Sequence, residues 1–476
     1  MAAAGSPGRP GASAGGPATS AGGGDTIVVD GCAVATVDAA GTEHSRGHVV
    51  VRGGRIAAVG GGPAPAIEGA RRVDGRGCLA TPGFVNTHHH LYQWLTRGHA
   101  PDGTLFQWLA ALYPVWAGLD EELEHVAASA GLAALALSGC TTAMDHHYVF
   151  PAGGGDLLAA EIEAARRIGL RFCATRGAMN LGRSAGGLPP DEVVEDADAI
   201  LAACEAAVSA HHDPGFDSML QVAIAPCSPF SVTTELMRDC ASLARSLGVR
   251  LHTHLAETDD EEAYCREHFG ARPVDYVESL GWLADDVWLA HCVHLSDGDI
   301  ARFAATGTGV AHCPSSNARL GAGIAPVPEL LAAGAPVGLG VDGVASNEHG
   351  GLAVELRQAL LMARARRGPQ ALSARQALWM ATAGGARCLG RDDGIGSLAP
   401  GRLGDVALWR LDGLGHGDIA DPVTALVFGP PAPLELLLVG GRPVVERDSL
   451  LTADVAELTR ACRTGAQTLA ERAGLR

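Results

Sequence analysis

Two histidines separated by a single residue occur twice in the chain, each time at the end of an apolar, strand-like segment. The first pair is His88 and His90, and the second is His252 and His254. Side chains two residues apart point to the same face of a strand, so each pair can present two imidazoles together. Two imidazoles suit Zn²⁺ or Fe²⁺. The spacing therefore indicates a metal site, although a polar strand end would give the same pattern.

Three further residues could complete such a site. Glu257 follows His254 by three residues, and His291 and Asp342 each end an apolar segment. His254 can supply a third neutral ligand and Glu257 a proton carrier. His291 could polarise a substrate and orient the attacking oxygen, while Asp342 could bind the metal and accept a proton. The structural alternatives are a helix N-terminal carboxylate for Glu257 and a turn for Asp342. We interpret His252 as a deeper, hydrogen-bonded core histidine.

These residues lie in a region where strand-like and helix-like segments alternate. The predicted strands are 83–88, 140–145, 170–175, 219–225, 250–255, 287–292, 308–313 and 336–342. Helix-like segments between them include 119–137, 157–168, 195–210, 233–247, 297–306 and 351–366. This alternation predicts an α/β fold, a (β/α)8 barrel spanning residues 81–397. The chemistry-bearing residues all end barrel strands, at the face where such barrels hold their active sites.

The rest of the chain predicts one additional domain and two terminal segments. Residues 25–80 and 398–450 both contain short strands and turns, so we expect them to pair as one small composite β domain. Residues 1–24 are nearly all Gly, Ala, Ser and Pro, which predicts a disordered tail. Residues 451–476 are predicted to form a terminal helix.

The composition excludes several classes of function. The formal net charge is −18, which disfavours nucleic acid and anionic membranes as partners. All 35 basic residues are Arg, so mechanisms that need a lysine are excluded. The 12 cysteines are scattered without a C-x-x-C motif, as in reduced intracellular proteins. The sequence shows neither a signal peptide nor a long apolar run. We therefore expect a cytoplasmic protein without a membrane segment.

The segment 82–90, Pro-Gly-Phe-Val-Asn-Thr-His-His-His, together with the later His and Asp positions, resembles the amidohydrolase superfamily. The resemblance spans about residues 25–450 and implies a distorted (β/α)8 TIM barrel with a small composite β-sandwich domain. It also implies a metal-dependent hydrolase. The metal ligands implied are His88, His90, His254 and Asp342, and the catalytic residues implied are Glu257, His291 and Asp342.

The absence of lysine narrows the resemblance to one branch of the superfamily. Members with two metals usually bridge them with a carbamylated lysine, which this chain cannot supply. The branch of cytosine, guanine and S-adenosylhomocysteine deaminases, which uses one metal, remains. His254 and Glu257 have the spacing typical of this branch. The resemblance implies one divalent metal ion, Zn²⁺ with Fe²⁺ as the alternative.

Several stretches are similar to the bacterial deaminases of 8-oxoguanine and to the hydroxy-s-triazine amidohydrolases. These stretches are 88–93, 112–116, 145–148, 226–231 and 312–317. The resemblance implies a small, flat heterocycle as substrate, with 8-oxoguanine and water giving urate and ammonia. A hydroxytriazine, guanine, a ring-opening reaction and a non-catalytic assembly protein with this fold are the alternatives. Superfamily members are commonly dimers or larger, so a homo-oligomer is compatible with the resemblance.

Four residues are candidates for binding the substrate, each with a structural alternative. Gln93 could read an oxo or ring N–H group, or it could lie on a helix surface. Trp116 belongs to an aromatic-rich segment that could stack on a planar ring or form core. Arg176 ends the third predicted barrel strand and could bind an oxo group. Asn317 follows the seventh strand, where it could bind substrate or form a turn.

Overall fold

The computed structural model of the protein describes residues 26–475, so the predicted tail at residues 1–24 lies outside the described residues. Seventeen strands are numbered in chain order. They are β1 Thr26–Ala35, β2 Glu43–Arg52, β3 Arg55–Gly61, β4 Arg71–Asp74, β5 Cys78–Pro82, β6 Phe84–Asn86, β7 Cys140–Met144, β8 Arg171–Ala178, β9 Leu220–Pro226, β10 Leu251–Leu255, β11 Val287–His291, β12 Gly309–His312, β13 Val337–Leu339, β14 Val406–Arg410, β15 Leu434–Val439, β16 Arg442–Glu446 and β17 Ser449–Leu450.

Fifteen α-helices connect or flank these strands. They are α1 Leu105–Trp116, α2 Glu121–Leu137, α3 Leu157–Ile168, α4 Ala197–His211, α5 Thr234–Leu247, α6 Asp259–Phe269, α7 Pro273–Ser279, α8 Asp297–Thr306, α9 Pro314–Arg319, α10 Val327–Ala333, α11 Leu352–Arg367, α12 Ala374–Trp379, α13 Gly385–Cys388, α14 Pro422–Phe428 and α15 Val455–Arg472. Within residues 26–475, no helix combines the length and apolar character needed to cross a membrane.

Strands β6 to β13 close into a parallel barrel, and each of the eight predicted barrel strands overlaps one of them. Their side chains are buried on both faces, since helices cover the outside and the barrel core fills the inside. In β10, for example, all five residues of Leu-His-Thr-His-Leu are buried. The predicted fold class, an α/β barrel with a separate β domain, is confirmed.

The remaining nine strands form one sheet, here called the composite sheet, in the order β17-β16-β15-β14-β5-β1-β2-β3 with β4 paired to β1. The N-terminal and C-terminal strands meet where β5 and β14 pair antiparallel, from Pro82 opposite Val406 to Cys78 opposite Arg410. The two halves enclose a shared apolar core that includes Val49, Ile56 and Leu436. Both ends of the chain therefore contribute strands to a single sheet and share its apolar core, so the expected sandwich is one sheet here.

A buried ion pair joins the barrel to the composite sheet. Arg171 at the start of β8 donates from Nε to Asp405 Oδ2 at 2.7 Å and from Nη2 to Asp405 Oδ1 at 3.1 Å. Both side chains are 2% exposed. Removing one partner of a buried ion pair leaves the other charge buried without compensation, and this destabilises the folded protein.

Replacing Asp405 with Asn should lower the free energy of unfolding by about 3–5 kcal/mol, because the Arg171 guanidinium would stay buried without a counter-charge. Urea-induced unfolding measures this change. The exposed pair of Arg76 and Asp74 offers a matched control, and Asp74→Asn should leave the unfolding curve unchanged. A loss below about 1 kcal/mol in Asp405→Asn would show that this pair does not hold the two parts together.

Candidate active site

The strand ends at one face of the barrel have an unusual backbone conformation. Ala256, His291 and Asp342 have φ angles of 51°, 69° and 65°. This left-handed region is disfavoured for residues other than glycine, and such residues cluster at functional sites. Here the conformation occurs just beyond β10, at the last residue of β11 and just beyond β13. The backbone at each of these points turns where a side chain enters the barrel mouth.

The hydrogen-bond network assigns the tautomers of His90 and His254. The Nδ1–H of His90 donates to the carbonyl of His146 at 2.7 Å, and the Nδ1–H of His254 donates to the carbonyl of Cys227 at 2.7 Å. In the neutral rings, each Nε2 therefore carries a lone pair rather than a proton. These two Nε2 atoms face each other at 3.1 Å. Two lone pairs at this distance repel each other unless a cation lies between them.

The Nε2 of His88 also carries a lone pair, because a hydrogen bond to His252 fixes the tautomer of His88. The Nδ1–H of His252 donates to the carbonyl of Trp288 at 2.8 Å, so its Nε2 can only accept. His88 therefore donates from Nδ1 to His252 Nε2, at 2.8 Å. The Nε2 of His88 is left as a buried lone pair with no hydrogen-bond partner among residues 26–475. His252 is thus a buried, hydrogen-bonded residue beneath the site, as its place in the strand predicts.

Asp342 completes this set of donors. Its Oδ1 lies 3.4 Å from His88 Nε2 and 3.3 Å from His90 Nε2. A tetrahedral ion with ligand bonds of about 2.1 Å would hold its ligand atoms about 3.4 Å apart. His88, His90 and His254 belong, with His146, to one group of potential ligands, and His88 and Asp342 belong, with His291, to another. Because His88 is common to both groups, the four residues could hold a single divalent metal ion. The orphaned Nε2 of His88 is explained by such an ion.

The protonation states agree with this arrangement. Burial lowers the pKa of His88, His90 and His254, so all three rings are neutral and can act as ligands. Burial opposes ionisation of Asp342, but the facing imidazoles of His88 and His291 hold the pKa of this carboxyl well below its usual range. The site therefore presents three neutral ligands and one anionic ligand.

Glu257 and His291 form a second pair beside the ligands. Glu257 Oε2 lies 3.6 Å from His291 Nε2, and His291 Nε2 lies 4.0 Å from Asp342 Oδ2. Burial raises the pKa of Glu257 to about 7. Burial would lower the pKa of His291, but the carboxyl groups of Glu257 and Asp342 outweigh it and raise this pKa. The pair can therefore hold or release a proton close to neutral pH.

Asn317 contacts His291 instead of facing the pocket. Its Oδ1 accepts a hydrogen bond from His291 Nδ1–H at 2.9 Å. This contact fixes the ring orientation and leaves Nε2 pointing towards Glu257 and Asp342. We therefore reassign Asn317 from substrate binding to the positioning of His291.

Replacing Asn317 with Ala should lower kcat by about 10- to 100-fold, the usual cost of losing a group that orients a functional histidine. Asn317→Asp keeps an acceptor for Nδ1–H, and its added negative charge raises the pKa of His291. Because His291 acts as a donor when protonated, the Asp variant should retain more activity and shift the alkaline limb of the pH profile upward. Steady-state kinetics across pH would measure both effects. Equal losses in the two variants, without a pH shift, would contradict the positioning role.

Glu261 is a functional residue that the sequence patterns missed. It lies in the first turn of α6, is fully buried, and accepts hydrogen bonds from the backbone N–H groups of Ala256 and Glu257 at 2.9 and 2.8 Å. These bonds hold the turn that carries Glu257. The only local signal was an acidic residue at a helix start, which is common on protein surfaces.

A narrow pocket opens onto these residues. Its floor includes His90, His254, Glu257, His291 and Asp342, with Gln93, Cys227 and Ser346 beside them. Apolar and aromatic side chains form the wall and cover: Leu105, Trp108, Leu109, Tyr148, Phe230 and Leu320. Polar groups and flat apolar surfaces suit a small planar heterocycle, but the cavity of about 30 Å³ would have to widen to admit one. Gln93 lines this pocket, and its role in binding a substrate stays a prediction.

Two predicted substrate residues lie elsewhere. The guanidinium of Arg176 pairs with Glu195 at 2.6 Å and lies 3.7 Å from the centre of the Phe150 ring, in a different cavity. Trp116 is fully buried behind the pocket, where it packs against Tyr92 and donates from Nε1 to Thr96 at 3.1 Å. Neither side chain points into the active-site pocket. Arg176 contacts Glu195 and Phe150, and Trp116 contacts Tyr92 and Thr96. We therefore no longer assign either residue to the substrate.

A barrel with histidines and an aspartate at its strand ends defines a class of hydrolytic enzymes that use a metal ion. A family model described as the amidohydrolase family matches residues 79–444. The chain belongs to this family.

Two curated relatives and one solved structure illustrate the likeness. The 8-oxoguanine deaminase of Pseudomonas aeruginosa is 47% identical over 426 residues, covering 89% of this chain and 95% of the relative. The hydroxydechloroatrazine ethylaminohydrolase of Pseudomonas sp. is 40% identical over 450 residues, covering 90% and 92%. A crystal structure of atrazine chlorohydrolase from Arthrobacter aurescens TC1 complexed with zinc superposes with a TM-score of 0.87. It is 34% identical, covering 92% of this chain and 100% of the other.

These findings establish the general activity. The chain is an aminohydrolase, an enzyme that hydrolyses C–N bonds. Its relatives act on several different rings, so the particular substrate has to be argued from the pocket and tested.

Proposed function

We propose that this enzyme is a metal-dependent deaminase of oxo-purines, with 8-oxoguanine and water giving urate and ammonia. The observation that carries the proposal is the narrow pocket in which Gln93, Glu257 and His291 lie beside three of the four candidate metal ligands, His90, His254 and Asp342. The 47% identity to an 8-oxoguanine deaminase supports the choice of ring. In this reaction a C–O bond forms at the ring carbon that carries the exocyclic amine, and the C–N bond to that amine breaks.

The candidate metal ligands are His88, His90, His254 and Asp342. Zn²⁺, or alternatively Fe²⁺, would lower the pKa of a bound water to about 7 when present there. Zinc is favoured because imidazole nitrogens and a carboxylate oxygen are donors that suit this ion. The zinc in the related chlorohydrolase structure is consistent with that choice.

Asp342, one of the candidate ligands, and the residues beside the ligands would carry out the proton transfers of the reaction. Asp342 is held as a carboxylate and can accept a proton from the attacking water. Glu257, with its pKa near 7, can protonate the ring nitrogen next to the attacked carbon and later deliver a proton to the departing amine. His291, oriented by Asn317 through Nδ1–H, can donate from Nε2 to the attacking oxygen when its ring is protonated, a state that its raised pKa favours. Leu105, Trp108 and Leu109 would exclude bulk water above the ring.

Turnover of 8-oxoguanine by protein loaded with zinc tests this proposal. Urate absorbance and ammonia release should rise together in a 1:1 ratio. Guanine and hydroxydechloroatrazine serve as parallel substrates under the same conditions. We expect the highest kcat/KM with 8-oxoguanine, because its oxo groups can pair with Gln93 and the other polar groups at the floor.

The products separate the alternatives. Preference for the triazine, with release of its alkylamine, would favour a hydroxytriazine aminohydrolase, a role that the 40% identity to such an enzyme supports. Preference for guanine would indicate a guanine deaminase, which is also a purine deaminase. A ring-opened product without ammonia would indicate an amidase reaction. Failure of the metal-loaded protein to convert any of these rings would contradict the proposed pocket chemistry.

A further inference from the structure

A second cluster of metal-ligating side chains lies outside the barrel mouth. Glu124 comes from α2, Asp145 and His147 follow β7, and Glu161 comes from α3. All four side chains are completely buried. The aminohydrolase reaction described above uses none of them.

The imidazole of His147 is oriented to accept rather than to donate. Its Nε2–H donates to the carbonyl of Val149 at 2.9 Å, so Nδ1 carries a lone pair. Nδ1 lies 3.8 Å from Glu124 Oε2, 3.8 Å from Glu161 Oε2 and 4.0 Å from Asp145 Oδ2. These separations are too long for hydrogen bonds. Nδ1 therefore has no hydrogen-bond partner within the described part of the chain.

The carboxylates around it are equally unsatisfied. Both oxygens of Glu124, both oxygens of Glu161 and Oδ2 of Asp145 have no hydrogen-bond partner within residues 26–475. A buried polar atom without a partner costs free energy, and a buried charge without compensation costs much more. The cluster thus contains six unpartnered buried atoms, five carboxylate oxygens and one imidazole nitrogen, and one oxygen of each carboxyl group lies within 4.0 Å of His147 Nδ1.

No basic side chain neutralises this cluster. The chain contains no lysine, and among the described residues no arginine lies within 4.0 Å of the three carboxyl groups. One proton shared between Asp145 and Glu161, which are close enough to interact, would satisfy only that pair. Glu124 and the lone pair on His147 would still lack a partner. A cation at the centre would satisfy all of them.

We propose that Glu124, His147 and Glu161, with Asp145 beside them, bind a second divalent transition-metal ion, separate from the catalytic one. The candidate ligand atoms of the first three residues all lie within 4.8 Å of one another. Ligands of an ion with bonds of about 2.1 Å lie about 3.4 Å apart, so small side-chain movements would close the site. Mixed carboxylate and imidazole donors suit Zn²⁺ or Mn²⁺.

This ion would be structural and would support the active site. Asp145 Oδ1 accepts a hydrogen bond from the backbone N–H of Leu91 at 2.6 Å. The carbonyl of His146, between Asp145 and His147, accepts the hydrogen bond that orients His90. A metal ion that fixes the two flanking residues would therefore fix the backbone that positions His90.

Metal analysis of purified protein tests the proposal. Protein loaded with Zn²⁺ or Mn²⁺ and then freed of excess metal should contain two equivalents per chain by mass spectrometry. Glu161→Gln should contain one. Glu355→Gln is the matched control, because Glu355 is also a fully buried helical glutamate, yet Ser315 N–H and Asn347 Nδ2 satisfy it at 3.1 and 2.9 Å. This control should keep two equivalents.

Crystals of the loaded wild-type enzyme give a readout that does not depend on how the variants fold. Anomalous diffraction at the metal edge should show one peak among Glu124, His147 and Glu161, in addition to the peak at the catalytic site. A single equivalent in the wild type, with the catalytic site full and no peak in the second cluster, would overturn the proposal. Two equivalents in a folded Glu161→Gln variant would overturn it as well. Neither measurement depends on which heterocycle the enzyme deaminates.

Discussion

Replacing Glu257 with Gln should lower kcat by about 10²- to 10⁴-fold, the usual contribution of a positioned acid–base group. The amide keeps the size of the side chain but cannot carry a proton between water, ring and leaving group. The metal content should stay at the wild-type value, because Glu257 is not among the candidate ligands. Single-turnover kinetics and metal analysis of the same preparation would show both results.

A matched variant separates this effect from a general disturbance of the segment. Glu267 lies on the same helix that follows Glu257, but its side chain is exposed. Glu267→Gln should therefore have wild-type kcat. If Glu257→Gln retained near-wild-type turnover with its metal bound, Glu257 would have no part in the proton transfers.

Replacing His254 with Asn should remove the catalytic metal and lower activity by a factor on the order of 10³ or more, since the metal contributes several kcal/mol to the reaction. The Asn side chain is short but can still donate to the Cys227 carbonyl that now accepts from His254. The change thus deletes the Nε2 lone pair with little loss of local structure. Metal analysis after loading should show one equivalent fewer per chain than the wild type.

His252→Asn is the graded control on the same strand. His252 lies beneath His88 and is not in contact with the proposed ion. Its loss should weaken metal binding by about 10- to 100-fold, as for other groups that orient a ligand, and a higher zinc concentration should restore activity. Full metal occupancy and normal turnover in His254→Asn would show that His254 is not a ligand.

The candidate metal ligands could be selected from the sequence because their placement follows a local rule. Alternation along a strand brings His88 and His90 to one face, and the shared direction of parallel strands brings Asp342 to the same end of the barrel. Each of these relations needs only the strand boundaries and the chain direction. The structure places His88, His90 and His254 in one group of potential ligands, and His88 and Asp342 in a second group.

The pocket residues were harder to predict because their side chains lie in loops or at strand edges. Arg176 has the charge to bind an oxo group, but Glu195 and Phe150 hold it in another cavity. Asn317 has the polarity to bind a substrate, but its side-chain oxygen accepts a hydrogen bond from His291 Nδ1–H. In each case the deciding partner is distant in sequence, and nothing in the local pattern identifies it.

The sequence by itself predicted the barrel and excluded a lysine-bridged metal pair, and these follow from the periodicity and composition of the chain. The set of candidate metal ligands needed the family resemblance as well, and it stays a prediction. Only the tertiary structure decided the tautomers of the histidines, the role of Asn317 and the burial of Glu124 beside Glu161. Those features depend on which groups meet when α2, α3 and the strand ends pack together. Which side chains come into contact depends on how segments distant in sequence pack together, and a local sequence pattern contains no record of that packing.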